Sequence, residues 1–191
     1  MLAEDTSNGR AAKGGSLVEQ WDIYDHNRMP TGRIATRGKR FLPGEYHLVV
    51  HVCIFDSRNR MLIQQRQRSK SLWSELWDVS VGGSAQAGED SRQAAQREAQ
   101  EEIGLRIDLG NERPHLSVPF DWGYDDYYFV TMDVDINALT LQAEEEVQAV
   151  RWATQQDIEL LLRQGQFIPY QWHFIPLLFE LHQQRGTIRK P

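Results

Sequence analysis

Cysteine, long apolar runs and an excess of basic charge are all missing from this sequence. The single cysteine, Cys53, rules out an internal disulfide framework and suits a reducing compartment. No apolar run is long enough to span a bilayer, and no signal-peptide pattern is found. The net charge of −6 at pH 7 argues against a surface that coats a nucleic acid polymer. These absences predict a cytoplasmic protein that binds neither membrane nor nucleic acid.

The residues that are present suffice for one folded domain. Hydrophobic side chains make up 40% of the 191 residues, and the six tryptophans add to the material for a core. Residues 1–16 are mostly small and polar. We therefore expect a flexible N-terminal tail over 1–16, followed by a single domain over residues 17–191.

Strand and helix signals alternate along that domain. Nearly every position of His47–Phe55 is apolar or aromatic, which predicts a strand buried on both faces. Met61–Arg66 would return as its hairpin partner, and Val18–Tyr24 with Arg33–Thr36 would form a small N-terminal hairpin. Further predicted elements are strands Trp77–Val81, Leu116–Pro119, Tyr127–Val134 and Val147–Trp152, a loop Phe120–Asp126, a helix from Thr154 to about Gly165, and a helix near Trp172–Gln184. This order predicts a mixed α/β domain.

One helix, predicted over Ser91–Ile103, carries the strongest signals for function. Asp90 is a good N-cap with Gln93 as its capping-box partner, and Gly104 is suited to end the helix. Three carboxylates then share one face, because Glu98, Glu101 and Glu102 are spaced at i, i+3 and i+4. Arg97 can reach Glu101, but no basic residue lies one turn from Glu98 on the same face. Hard oxygen ligands of this kind suit Mg²⁺, with Mn²⁺ as an alternative.

The stretch Gly83–Leu105 resembles the Nudix box. Its fixed positions are matched by Gly83, Glu89, Arg97, Glu98, Glu101, Glu102, Gly104 and Leu105, and the one departure is the small Ala99 where a larger aliphatic residue is usual. The resemblance implies an α/β/α sandwich with a mixed sheet, an N-terminal hairpin extension and C-terminal helices. It also implies hydrolysis of a diphosphate bond, with Glu98, Glu101, Glu102 and the backbone carbonyl of Gly83 as metal ligands. Glu89 and Arg97 would tie the loop to the helix.

The general base is not fixed by this resemblance. A glutamate of the helix could accept the proton of the attacking water while also binding metal. Family members also use an acidic residue from a later loop, and the later acidic cluster here is Glu144-Glu145-Glu146. Its alternative interpretation is an ordinary solvated acidic loop. Within the cluster, Glu145 or Glu146 is the preferred catalytic candidate.

Two further groups of residues are candidates for substrate binding. Arg66 and Lys70 lie shortly before the box, where basic side chains could bind the outer phosphate oxygens. Trp122 and Tyr124 fall in a predicted loop with Gly123 and could stack on a base or cover an isoprenoid-like tail. A solvated basic loop is the alternative interpretation for Arg66 and Lys70.

Residues outside the box are similar to the Nudix subgroup related to type 1 isopentenyl-diphosphate isomerase. The likeness covers about residues 18–180 and raises allylic isomerisation as an alternative function. The isomerases carry a catalytic Cys where this chain has Gly82 and a metal-binding His where it has Ser84. Of their histidine ligands, only His47 has a counterpart, and a histidine at that position is more often part of a core.

These observations favour a Mg²⁺-dependent Nudix hydrolase that cleaves a nucleoside diphosphate derivative or a similar small diphosphate substrate. Isomerisation is the first alternative. The second is a non-catalytic nucleotide-binding module, but the complete set of box glutamates weighs against it. A homodimer could form through the hairpin and the terminal helix, although no sequence feature requires one.

Overall fold

The structure is a computed structural model that describes residues 18–142 and 146–188. The predicted tail over 1–16 lies outside the described residues. The strands are β1 Gln20–Tyr24, β2 Pro30–Thr36, β3 His47–Phe55, β4 Met61–Arg66, β5 Trp77–Asp78, β6 Val81–Ser84, β7 Leu116–Phe120, β8 Gly123–Thr131 and β9 Val147–Ala153. The helices are α1 Ser91–Ile103, α2 Gln155–Arg163 and α3 Phe174–Gln183. None of the helices in the described part of the chain is long and apolar enough to cross a membrane.

A mixed sheet of seven strands forms the centre of the domain. Its main path runs β5-β4-β3-β8-β7, while β6 pairs with β3 and β9 pairs with β4. The β3–β8 pair is parallel and the remaining pairs are antiparallel. As predicted, β3 is buried along most of its length because both faces of the sheet are covered.

The two faces of the sheet carry separate apolar clusters. One packs α1 against β3 and includes Val50, Val52, Ala95 and Ile103 among its buried members. The other packs α2 and α3 against the opposite face and includes the fully buried Cys53. This confirms the predicted layered α/β architecture. It also confirms Cys53 as a core residue, and burial raises the pKa of its thiol.

Strand pairing departs from the prediction between β3 and β4. The two strands pair only at Phe55 and Met61, next to their turn, so the predicted hairpin does not continue. Beyond that point β6 takes the neighbouring position on β3, with Gly82 opposite His51 and Gly83 opposite Val50. Gly82 and Gly83 therefore belong to a paired strand, whereas the predicted strand Trp77–Val81 ended before them.

Two other boundaries also differ. The predicted loop Phe120–Asp126 is wrong, because β8 already begins at Gly123. Only a tight turn separates Phe120 from Gly123. Asp126 is tolerated in this strand because it is buried against Arg28 and Ser117. The helix α3 begins at Phe174, two residues after the predicted start near Trp172, and buries Ile175, Leu178 and Phe179.

The N-terminal hairpin β1–β2 is fixed to the loop that precedes α1. The Ala87 N–H donates to the Gln20 carbonyl at 2.8 Å, and the Gly88 N–H donates to the Asp22 carboxylate at 2.8 Å. At the end of β1, Tyr24 exchanges backbone hydrogen bonds with Tyr46. The hairpin is consequently held close to the start of the helix α1.

Candidate active site

The helix α1 forms with the caps that its sequence predicts. The Gln93 N–H donates to the Asp90 carboxylate, and the Gln93 side-chain oxygen accepts a hydrogen bond from the Asp90 backbone N–H. Gly104 ends the helix in the left-handed conformation, with φ of 70°. Ala94, Ala95 and Ala99 are fully buried, so small side chains let the helix lie close to the sheet. This contact brings the glutamate face of α1 to the end of β6.

Gly83 and Glu98 are in direct contact. A Cβ atom at position 83 would overlap the Glu98 carboxylate, so only glycine fits there. The Glu98 side chain is 13% exposed, and burial raises its pKa to about 7 even though Arg97 opposes the shift. The strand β6 thus forms a glycine cradle for a carboxylate that is only partly compensated by positive charge.

Arg97 joins the loop to the helix through three carboxylates. Its guanidinium binds Glu89 through two hydrogen bonds of 2.7 and 2.9 Å. It also donates to Glu98 and Glu101 at 2.9 Å each, and to the Ser84 carbonyl at 3.0 Å. The structure therefore gives the Glu89–Arg97 pair the tying role that the resemblance implied. It also shows that Arg97 neutralises part of the charge on the glutamate face.

Glu102 is the most deeply buried of the three helix glutamates. Its carboxylate accepts hydrogen bonds from the Gly82 N–H at 3.2 Å and from the Gln64 side chain at 3.1 Å. No basic side chain contacts it within the described residues, and burial raises its pKa well above the usual value. The nearby charge of Glu98 acts in the same direction.

The donor set of Glu98, Glu102 and the Gly83 backbone fits a divalent cation. These are hard oxygen donors, and the carboxylates of the buried Glu102 and the largely buried Glu98 lack a full counter-charge. Glu101 is oriented differently, because it is half exposed and its carboxylate lies on Arg97. Across residues 18–142 and 146–188, no three His, Cys, Asp or Glu side chains already form a metal-binding group. Glu101 could act as a metal ligand only if its carboxylate left Arg97 and turned to the cation.

Two basic side chains, Arg66 and Lys70, line a cleft together with these carboxylates. Arg66 ends β4, and its buried Nε has no hydrogen-bond partner within the described part of the chain. Lys70 pairs with Glu146 and is only 16% exposed. The predicted catalytic residue Glu145 lies outside the described residues, as does Glu144. Their neighbour Glu146 is described and reaches the cleft.

The carboxylates and the basic residues line a single cleft of about 310 Å³. Its lining residues are Glu19, Trp21, Arg37, Arg66, Lys70, Gly82, Gly83, Ser84, Gln86, Arg97, Glu98, Glu101, Glu102, Gln142 and Glu146. The structure thus brings together the predicted metal ligands and the predicted phosphate-binding pair. A cleft with both signs of charge can hold a cation and the anionic groups that the cation contacts.

Three lining residues from the N-terminal hairpin were missed by the sequence reasoning. Glu19, Trp21 and Arg37 lie more than 40 positions before Gly83 in the chain. The apolar–polar alternation of this segment predicted its strand, but it carried no signal for the partner against which the strand would lie. The bonds of Gln20 with Ala87 and of Asp22 with Gly88 bring them to the cleft.

Trp122 and Tyr124 occupy a different part of the surface. Trp122 is 40% exposed in the turn before β8. Tyr124 donates its hydroxyl to the Asp25 carbonyl at 3.1 Å and packs near Tyr46. Neither is among the described residues that line the glutamate cleft. Their proposed role in substrate binding stays a prediction.

The environment of Gly82 bears on the isomerase alternative. A Cβ atom at this position would lie 3.0 Å from the His51 Nδ1, so a longer side chain would require His51 to move. His51 is itself held by Asp125, whose carboxylate lies 3.2 Å from Nε2. His47 is buried in an aromatic cluster with Trp21 and Phe41. Gly82 is therefore packed against His51, and this position offers no thiol for isomerisation.

Comparison with known sequences gives a consistent assignment. A family model described as the NUDIX domain matches residues 45–177. An uncharacterized Nudix hydrolase of Listeria innocua is 50% identical over 164 residues, which cover 86% of this chain and 95% of the relative. An isopentenyl-diphosphate Δ-isomerase of Pectobacterium atrosepticum is 37% identical over 87 residues, covering 46% of this chain and 48% of the isomerase. The resemblance to isomerases is confirmed, but it is partial.

Solved structures share the fold at low sequence identity. A Deinococcus radiodurans protein, DR0079, has a TM-score of 0.67 and 23% identity, covering 88% of this chain and all of that protein. The Nudix domain of Shewanella oneidensis NrtR, solved with ADP-ribose, has a TM-score of 0.53 and 20% identity, covering 73% of this chain and 88% of that domain. The family match spans more than half of the chain and the Listeria relative matches almost end to end, so this protein belongs to the Nudix family and groups with its hydrolases.

Proposed function

We propose that this protein is a Mg²⁺-dependent hydrolase of a diphosphate bond in a nucleoside diphosphate derivative. The observation that carries the proposal is the single cleft that the three box glutamates line together with Arg66 and Lys70. A hydrolase of phosphoanhydrides needs both the carboxylates and the basic side chains, because the cation and the phosphate oxygens must be held together. The ADP-ribose complex of the NrtR domain is one example of a nucleoside diphosphate derivative bound by this fold.

The residues of the cleft would divide the work as follows. Glu98 and Glu102, with Glu101 and the Gly83 carbonyl, would hold the divalent cation. That cation, when bound, neutralises charge on the diphosphate and lowers the pKa of a coordinated water. Arg66 would bind an outer phosphate oxygen through its free Nε–H, and Lys70 would add a second positive charge. Arg97 would hold the loop and the helix at a fixed separation through Glu89.

Two sources of the general base follow from the sequence and the geometry. One is a glutamate of α1. The other is the later acidic cluster, in which Glu146 lines the cleft beside Lys70. Glu145 lies outside the described residues and remains a predicted catalytic residue. Glu145→Gln and Glu146→Gln are made separately, and kcat is recorded against pH for each variant. Loss of the general base removes the acidic limb of the profile, so a variant that loses this limb identifies its residue as the base. If both variants keep the limb, the base is a glutamate of α1.

The experiment that tests the function is a substrate panel with Mg²⁺. Nucleoside triphosphates, nucleotide sugars, dinucleotide cofactors, coenzyme A and isopentenyl diphosphate are incubated with the enzyme, and phosphate, pyrophosphate and nucleotide products are measured. Cleavage of one nucleotide class that stops in EDTA is the expected result. Absence of any cleavage across the panel, with the protein folded, would contradict the proposal and favour a binding module.

Isomerisation is the second candidate, supported by the likeness to isopentenyl-diphosphate Δ-isomerases over half of the chain. The isopentenyl diphosphate reaction is therefore also analysed for the allylic isomer. Formation of that isomer without cleavage would favour this alternative, and it would require a proton donor other than a thiol at position 82. Cytoplasmic location and homodimer formation are further parts of the proposal, to be checked by fractionation and by light scattering.

A further inference from the structure

The N-terminal hairpin presents an aromatic surface to the cleft. The residues on either side of Trp21 hold the hairpin to the loop before α1, through the Gln20 carbonyl and the Asp22 carboxylate. Both bonds are 2.8 Å long, so the position of Trp21 relative to α1 is fixed from two directions. Trp21 lines the same cleft as the box glutamates.

The indole of Trp21 is supported from behind by two other rings. Its centroid lies 4.8 Å from that of His47, with an angle of 30° between the rings, and 5.9 Å from that of Phe41, with an angle of 8°. Phe41 and His47 stack on one another at 5.0 Å. Trp21 is half-buried, so part of the indole remains accessible while the rest is packed. A ring supported in this way loses little conformational freedom when a second flat group stacks on it.

Charged groups border this aromatic surface. The Trp21 Nε1–H donates to Glu19 at 2.7 Å, and the other oxygen of Glu19 binds the guanidinium of Arg37. The backbone N–H of Arg37 also donates to the Glu19 carbonyl at 2.8 Å, which joins the two strands of the hairpin at this point. More than half of the Arg37 side chain is exposed, so it has donors left for a ligand.

We propose that Trp21 stacks on the heterocyclic base of the substrate and that Arg37 binds polar atoms of the nucleoside. This inference rests on the proposed function and names the substrate class more closely. A base is flat, aromatic and polar at its edge, and it matches an indole bordered by a carboxylate and a guanidinium. An isoprenoid tail matches poorly, because burying these charged groups against it would remove their water without replacing the hydrogen bonds.

The test compares three tryptophan variants on the nucleotide substrate that the panel identifies. Trp21→Ala should raise KM roughly tenfold with a smaller change in kcat, in line with the usual contribution of a base stacked on an aromatic side chain. Trp21→Phe keeps an aromatic ring and should recover most of the loss. Trp172→Ala is the matched control, because Trp172 is 65% exposed and does not line the cleft among the described residues, so KM should stay unchanged.

Direct binding separates this inference from the proposed function. The affinity of each variant for AMP is measured by calorimetry, which requires no turnover, and thermal unfolding confirms that each variant is folded. Weaker AMP binding by Trp21→Ala, recovered by Trp21→Phe, supports the base-stacking role even if wild-type enzyme hydrolyses no substrate. Equal AMP affinity and equal KM in wild type and Trp21→Ala overturn the inference while leaving the hydrolase assignment intact. Failure of the wild-type protein to bind AMP or any nucleotide of the panel also overturns it.

Discussion

The carboxylate side of the cleft, formed by Gly83 and the glutamates of α1, and the rest of its lining are built in different ways. The carboxylate side comes from one short stretch, Gly83–Glu102, in which a strand end and a helix are neighbours in sequence. The rest of the lining is assembled from separate segments, including Trp21 on β1, Arg66 at the end of β4 and Lys70 in the loop after it. Local geometry fixes the first side, whereas the second depends on the whole fold. We expect substitutions on the first side to affect chemistry and those on the second to affect substrate affinity.

The largest effect is expected from Glu102→Gln. Loss of a buried carboxylate that would bind the cation should lower kcat on the order of 10²-fold or more and lower Mg²⁺ affinity by about tenfold or more. The glutamine keeps one oxygen that can accept from the Gly82 N–H, so the metal-free protein should remain folded. Activity and Mg²⁺ titrations check this, with thermal unfolding in EDTA as the control. Unchanged turnover and unchanged Mg²⁺ affinity would show that Glu102 is not a metal ligand.

Gly83→Ala tests the close contact between β6 and α1. The added methyl group would overlap the Glu98 carboxylate, so the helix face must shift. We expect activity to fall at least about tenfold and the free energy of unfolding to fall by about 1–3 kcal/mol. Gly82→Ala is the matched comparison, because its methyl group would lie 3.0 Å from the His51 side chain and 3.8 Å from the Val50 carbonyl and would not meet the Glu98 carboxylate. Equal activity of the two variants would contradict a special role for the Gly83 cradle.

Arg66→Lys examines the rest of the cleft lining. Lysine keeps the charge but removes the Nε–H donor, which has no partner among the described residues. KM for the diphosphate substrate should rise about tenfold, with a smaller change in kcat. Arg68→Lys is the matched control two residues further along the chain, because the Arg68 side chain is 82% exposed. If both variants behave like wild type, Arg66 does not contact the phosphates.

The last effect concerns stability and its dependence on pH rather than activity. Burial lowers the pKa of His47 to about 4, although Asp125 and Glu19 oppose the shift. Between pH 6.5 and 4 the unfolded chain then binds more protons at this site than the folded protein, so stability is lost as the pH falls through this range. The contribution of His47 should be on the order of 2 kcal/mol.

His47→Phe should remove that part of the pH dependence while keeping a ring for Trp21 and Phe41 to stack on. Denaturant unfolding at pH 4.5 and pH 7 measures the difference between variant and wild type at each pH. The exposed His26, changed to Gln, serves as the control. His115 and His182 also have lowered pKa values and are unchanged in both proteins. An identical pH slope in wild type and His47→Phe would contradict the burial effect.

The contrast between the two sides explains how much could be predicted from sequence. The bounds and caps of α1 were predicted because Asp90, Gln93 and Gly104 act on their immediate neighbours. The start of β8 was missed because Asp125 and Asp126 are typical of loops, and their partners His51 and Arg28 lie far away in the chain. The position of Trp21 in the cleft was also missed because its partners lie far away in the chain. Its position becomes meaningful only when the hairpin lies against the loop before α1.

The way in which the hairpin is attached has a consequence for divergence among relatives. The bond between Ala87 and Gln20 joins two backbone groups, so it survives almost any substitution at position 21. Mutation can therefore replace the side chain that faces the substrate without detaching the hairpin or disturbing the glutamates. In a lineage of such proteins, the choice of substrate and the chemistry of bond cleavage can evolve as separate inherited traits.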